Sequence, residues 1–169
     1  MAERITIGLK SLKIGDIDAL GGMGTTLAVL GKTYESTAIL TQEEGEETEF
    51  FVEEVDDPVE TLARKGAISL EWAILDMTPE TLVKVLGGTV EGTGEAAVWK
   101  GPTEIPEIEQ SIEIISKKNI KYEIPRARIK ARLDVNFSKS EVGLVRVTAR
   151  VLTPTLEGEP PIKISKVVS

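Results

Sequence analysis

The chain contains no cysteine and no histidine. Their absence excludes thiolate nucleophiles, zinc sites built from Cys or His, imidazole acid–base catalysis and catalytic triads of the usual type. No apolar run approaches the roughly 18 residues needed to cross a bilayer, so no membrane span is expected. The opening residues Met1-Ala2-Glu3-Arg4-Ile5-Thr6 lack the apolar stretch of a signal peptide, and the expectation is a protein made in the cytoplasm. A net charge of −8 argues against generic nucleic-acid binding, which requires a basic surface or a dedicated basic patch. What is present is enough chain for a core. With 169 residues the sequence fits one domain, 1–169, able to bury roughly 70% of its unfolded surface without disulfides or metals.

Charge is divided into two blocks. From Glu43 to Glu60 there are ten acids (Glu43, Glu44, Glu46, Glu47, Glu49, Glu53, Glu54, Asp56, Asp57, Glu60) and no base. From Lys117 to Arg150 the balance reverses, with ten bases against the three acids Glu123, Asp134 and Glu141. The acidic block runs through glycine and threonine and reads as an exposed arm over 42–57. Its triplet Phe50-Phe51-Val52 reads as a strand able to pair with a neighbour, ended by Pro58. The basic block alternates with apolar residues, which sets Arg126, Arg128, Lys130, Arg132, Arg146 and Arg150 on one face of a sheet. That face has three readings: a solvated surface, a nucleic-acid patch, or a docking surface for the acidic arm of another copy. Nucleic-acid readers interleave aromatics with their bases, whereas here Ile, Ala, Leu and Val alternate with them, so docking is preferred. The candidate inter-subunit interface is then Glu43, Glu44, Glu46, Glu47, Glu49, Phe50 and Phe51 against the six bases just named.

The rest of the pattern is mostly β. Ile5, Ile7 and Leu9 alternate, then Leu12, Ile14 and Ile17 follow; Thr33 to Leu40 is rich in β-branched and aromatic residues. Ile68, Leu70, Trp72 and Ile74 mark one face of a half-buried strand, which makes Trp72 a core residue in preference to a sugar-stacking platform. One helix is expected. Thr78 is a suitable N-cap, Pro79 suits the first helical position, Leu82, Val85 and Leu86 share a face, and Gly87-Gly88 provides a stop. Strands are expected at Ala96–Lys100, Glu109–Ser116 and Ile120–Ile124, with Pro125 as an interruption. Beyond it, Ala127, Ile129, Ala131, Leu133, Val135 and Phe137 form the longest two-residue period, matched by Val145, Val147, Ala149 and Val151 across a turn. These two runs predict an antiparallel hairpin. The fold expected is mainly β, an antiparallel sandwich or partly closed barrel with one short flanking helix.

Catalytic motifs do not survive their spacing. Gly31-Lys32-Thr33 ends like a phosphate-binding loop, but Thr26 occupies the position that needs glycine and the following residues alternate as a strand. Gly92-Thr93-Gly94-Glu95-Ala96-Ala97 is followed by Val98-Trp99-Lys100-Gly101-Pro102, which cannot continue as a helix. No catalytic, cofactor or metal residue is assigned, and no sequence-specific nucleic-acid binding is expected.

The stretch Thr48-Glu49-Phe50-Phe51-Val52-Glu53-Glu54-Val55-Asp56-Asp57-Pro58, the strand Ala67 to Leu75 and the unit Thr78-Pro79-Glu80-Thr81-Leu82-Val83-Lys84-Val85-Leu86-Gly87-Gly88 together resemble a phage tail tube protein over residues 33–152. That family is similar to the type VI secretion tube proteins. The resemblance implies a six-membered ring of identical chains, rings stacked into a hollow tube, a place in the virion tail of a phage or prophage, and contacts with other tail proteins. It also implies that the long loop between early strands, here Gln42 to Asp57, reaches an adjacent ring. The alternative class is a stand-alone β-sandwich module that binds carbohydrate or protein.

Overall fold

The computed structural model describes residues 3–168, so Met1 and Ala2 of the opening stretch lie outside it. In chain order the strands are β1 (Ser11–Gly15), β2 (Leu27–Val29), β3 (Ile39–Gln42), β4 (Glu46–Val52), β5 (Val55–Arg64) and β6 (Ile68–Ile74). The helix α1 (Pro79–Leu86) follows, then β7 (Thr89–Glu91), β8 (Val98–Lys100), β9 (Ile108–Ile115), β10 (Ile120–Asp134), β11 (Leu144–Val151) and β12 (Lys163–Lys166). Eight strands form one antiparallel sheet in the order β2-β1-β9-β10-β11-β6-β3, with β12 beside the first part of β10; β4-β5 and β7-β8 are separate ribbons. The fold is therefore mainly β with one short helix, and the sheet does not close into a barrel.

Two-residue periodicity decides which face is buried. On β10 and β11, Ala127, Ile129, Val145, Val147 and Ala149 point into the core. They meet Leu70, Trp72 and Ile74 from β6, and Leu12, Ile14, Ile112 and Ile114 from β1 and β9 belong to the same cluster. Residues from opposite ends of the sheet share one core because the sheet curls. Within β10 the register against β9 shifts between Ile124 and Ala127. Pro125 sits in that irregularity, where its missing N–H breaks no regular ladder. The buried Ser111 hydroxyl donates to the Pro125 carbonyl at 2.7 Å and accepts from the Gly24 N–H at 2.9 Å. Pro125 thus bends the strand without ending it, which corrects the interruption expected from sequence.

The helix covers part of the core with Leu82 and Val85, and Gly87 closes it at φ 77° with its N–H on the Val83 carbonyl. Its start differs from expectation. Thr78 occupies the N-cap position but its hydroxyl makes no cap bond; Asp76 instead ties the turn before the helix to its first residues, accepting from the Thr78 N–H at 2.9 Å and from the Thr81 hydroxyl at 3.1 Å. Trp99 packs against the core and donates its indole N–H to the Gly87 carbonyl at 2.9 Å.

Other expectations are corrected by where backbone hydrogen bonds go. Residues 5–9 form no strand, and Ile5 and Ile7 are exposed; the segment is tied to the sheet by the bond from Lys117 N–H to the Ile7 carbonyl, and Gly8 turns it at φ 68°. The stretch Thr33 to Leu40 contributes an isolated bridge from Thr33 to Ile74 and only the start of β3. A short 3-10 turn at Gly94–Ala96 precedes β8, where a strand from Ala96 was expected. Strand β10 stops at Asp134, so Val135 and Phe137 do not continue its buried face; both are exposed, Phe137 at 96%.

Candidate interaction surfaces

The acidic segment is a β-hairpin. Register is preserved from Ile39 opposite Glu71 to Gln42 opposite Ile68, and again from Glu46 opposite Arg64 to Phe50 opposite Glu60. In each pair the two residue numbers have the same sum, so β4-β5 prolongs the β3-β6 ribbon out of the core without a slip. Between them the strands are pinched. Glu43 N–H bonds the Ala67 carbonyl at 2.9 Å, and a Cβ on Gly66 would lie 1.7 Å from the Glu43 carbonyl oxygen, which leaves room for glycine alone. Near the tip the register shifts between Phe50 and Val52, so that Phe51 faces the segment of β5 containing Pro58. Pro58 is therefore inside β5 and does not end the arm, as the sequence reading expected. In a two-stranded ribbon both strands are edges, and proline is tolerated there.

Every residue of β4 and β5 is exposed. Pairing places Glu46, Thr48, Phe50, Glu60, Leu62 and Arg64 on one face of the hairpin, where Phe50 and Leu62, continued past the register shift by the Val52–Val55 pair, form a short apolar strip with Glu60 beside Phe50; Glu47, Glu49, Thr61 and Ala63 lie on the other face. Phe50 remains 49% exposed and Leu62 50%. The acids Glu46, Glu49, Glu53, Glu54, Asp56, Asp57 and Glu60 surround this apolar strip in sequence, and none of the arm's carboxylates forms an ion pair among the described residues. Glu43 and Glu44 lie at the pinch, before β4 begins.

The basic residues do share the outer face of the sheet. Arg128 stands opposite Arg150, Lys130 opposite Thr148 and Arg132 opposite Arg146. Like charges directly opposite repel, and two acids relieve that here. Glu109 takes Arg126 Nε at 2.9 Å and Nη2 at 3.0 Å, with Arg128 Nη2 at 3.6 Å. Asp134 accepts from Arg146 Nε at 2.5 Å. Glu71 also lies on this face, opposite Thr148. Lys130, Arg132 and Arg150 have no ion-pair partner among the described residues. Of the six bases grouped by sequence, three are thus held within the molecule and three are open to a partner.

The hydrogen bonds from Arg126 hold the Glu109 carboxyl below its ordinary value; partial burial pushes it upward, and the charges of Arg126 and Arg128 add to the lowering. A carboxyl with a depressed folded pKa stabilises the fold above its unfolded value and loses that contribution as pH falls through the folded one. The thermal midpoint of Glu109→Gln is expected to fall less than that of the parent chain as pH drops below about 4.5. Parallel pH profiles for the two proteins would contradict the assignment.

Two further features escaped the sequence reading. Leu133, Val135, Phe137, Val142 and Met77 are exposed around the end of the β10-β11 hairpin. Close packing there is evident at Gly143, where a Cβ would stand 3.3 Å from Val135 and 3.5 Å from Met77. The signal was present as an apolar alternation continuing past Asp134, but it reads as core unless the strand end is known. Second, a cavity of about 680 Å³ opens where the sheet fails to close, bordered by Leu12, Tyr34, Leu40, Leu70, Ile114 and Tyr122.

No protein-family model matches the chain, and no curated protein matches it. Its surfaces carry the functional reading. Gly31-Lys32-Thr33 runs beside Ile74 and Leu75, with the Leu75 N–H on the Lys32 carbonyl at 3.1 Å, in place of the strand-loop-helix setting of a phosphate loop. No helix is long and apolar enough to cross a membrane among the described residues.

Proposed function

We propose that this chain is a non-enzymatic structural subunit that assembles with its own copies, six to a ring and ring upon ring, into the hollow tube of a phage or prophage-derived tail. The observation that carries the reading is the β4-β5 hairpin, exposed at every residue and carrying an apolar strip of Phe50, Leu62, Val52 and Val55 among its charges. An isolated two-stranded hairpin is at best marginally stable in water. Its apolar strip gains stability only when covered, and a repeated copy is always available to cover it. The free edges of β2 and β3 offer a second route to contact between copies, because unpaired strand edges accept further strands. Exposed ion pairs contribute little each, about 0–1 kcal/mol, so apolar contact and strand pairing hold the copies while charge sets their orientation.

Light scattering across protein concentration and salt tests this reading. Mass should rise with concentration toward rings and longer polymers, and salt should slow assembly by screening the acidic arm. A second reading, a stand-alone module for carbohydrate or protein, draws on the cavity flanked by Tyr34 and Tyr122. It predicts a monomer at every concentration.

A further inference from the structure

The acidic hairpin and the apolar patch around Phe137 lie at opposite ends of the same strands. The arm leaves the sheet where Gln42 pairs with Ile68 and Ser69 with Arg150. The patch begins where Ile74 pairs with Val145, and Val145 with Leu133. The seven residues of β6 separate the two ends, which at about 3.4 Å per residue is roughly 20 Å. Because the hairpin prolongs its ribbon away from the patch, its apolar strip is directed away from the patch of its own chain.

Their chemistry matches. The arm presents Phe50, Val52, Val55 and Leu62 among acids with no ion-pair partner. The patch presents Leu133, Val135, Phe137 and Val142; of the charges within 132–142, Asp134 is held by Arg146 and Glu141 accepts from Asn136, while Arg132 and Lys139 have no ion-pair partner among the described residues. Phe137 is carried by a loop that Asn136 and Glu141 tie together through a hydrogen bond.

We infer that the Phe50, Leu62, Val52 and Val55 strip of the β4-β5 hairpin of one copy docks on the Leu133–Val142 patch of the next. The contact is heterologous, head to tail, since the two surfaces differ and sit at opposite ends. Such contacts close into rings or run on as open stacks. The inference rests on the proposed self-assembly and names the surface that receives the arm.

Because the chain has no cysteine, engineered thiols report contact without background. Phe50→Cys and Phe137→Cys are prepared as separate proteins, mixed at assembling concentration and treated with a short bifunctional maleimide; Phe50→Cys mixed with Ile105→Cys, at another exposed site, is the comparison. Thr48→Cys with Lys139→Cys repeats the test with both phenylalanines kept. The inference expects covalent dimers in the Phe50/Phe137 and Thr48/Lys139 mixtures, far more than in the Ile105 mixture or in either protein alone, and a lower yield at high salt. Assembly seen by light scattering with no preference for Phe137 or Lys139 overturns this docking surface and leaves self-assembly standing. Absence of assembly in the parent protein overturns both.

Discussion

Val147→Asp should yield no cooperatively folded protein. Val147 is 1% exposed, and its cross-strand neighbours are Ala131 and Trp72, neither of which carries charge. The substitution forfeits about 1.5–3 kcal/mol of side-chain burial and adds a carboxylate that must either ionise without a partner or be held protonated. An uncompensated buried charge costs several kcal/mol after relaxation. Together these approach the roughly 5–15 kcal/mol that separates a typical folded domain from its unfolded state. Circular dichroism with a thermal scan should show no sharp transition. Val147→Ala, which makes a small cavity at about 2 kcal/mol, should retain one. A well-folded Val147→Asp protein would contradict the placement of β11 in the core.

Removing the arm should have the opposite profile. Deletion of residues 46–65 joins Gly45 to Gly66, whose nitrogen lies 3.7 Å from the site of a Gly45 Cβ, so the gap is short enough to close. Gly-Gly suits the tight turn that joins two antiparallel strands. The deleted β4 and β5 residues are exposed throughout, so the core loses nothing. The thermal midpoint of the shortened monomer should stay within a few degrees of the parent's, while assembly is lost. The milder replacement of Glu43, Glu44, Glu46 and Glu47 by Gln should weaken assembly and leave the monomer folded. Loss of the folded monomer on deletion would mean that the arm supports the core.

Sequence revealed the elements in which one face is buried and the other solvated. Strand β6, helix α1 and the β10-β11 hairpin all show that contrast, because Leu70, Trp72, Leu82, Val145 and Val147 recur at the spacing of their element. It misled where apolar alternation was not matched by burial. Ile5 and Ile7 alternate but lie outside the sheet, and Val135 and Phe137 extend the period of β10 beyond its last ladder pair. Proline ends neither element, since Pro58 sits in an edge ribbon and Pro125 in a bulge, the two settings where its missing N–H costs least. The arm was legible as a charged projection, yet its hairpin pairing was not, because neither of its faces is buried and register then leaves little trace in composition. The basic face was legible as a face. That Glu109 and Asp134 already engage half of its charges depends on cross-strand neighbours far apart in sequence.

Electron microscopy of the concentrated purified protein, beside the variant lacking residues 46–65, tests the central claim most directly. Self-assembly through the arm predicts rings and stacked tubes from the full chain and separate particles from the shortened one. Separate particles from both proteins at every concentration would contradict it.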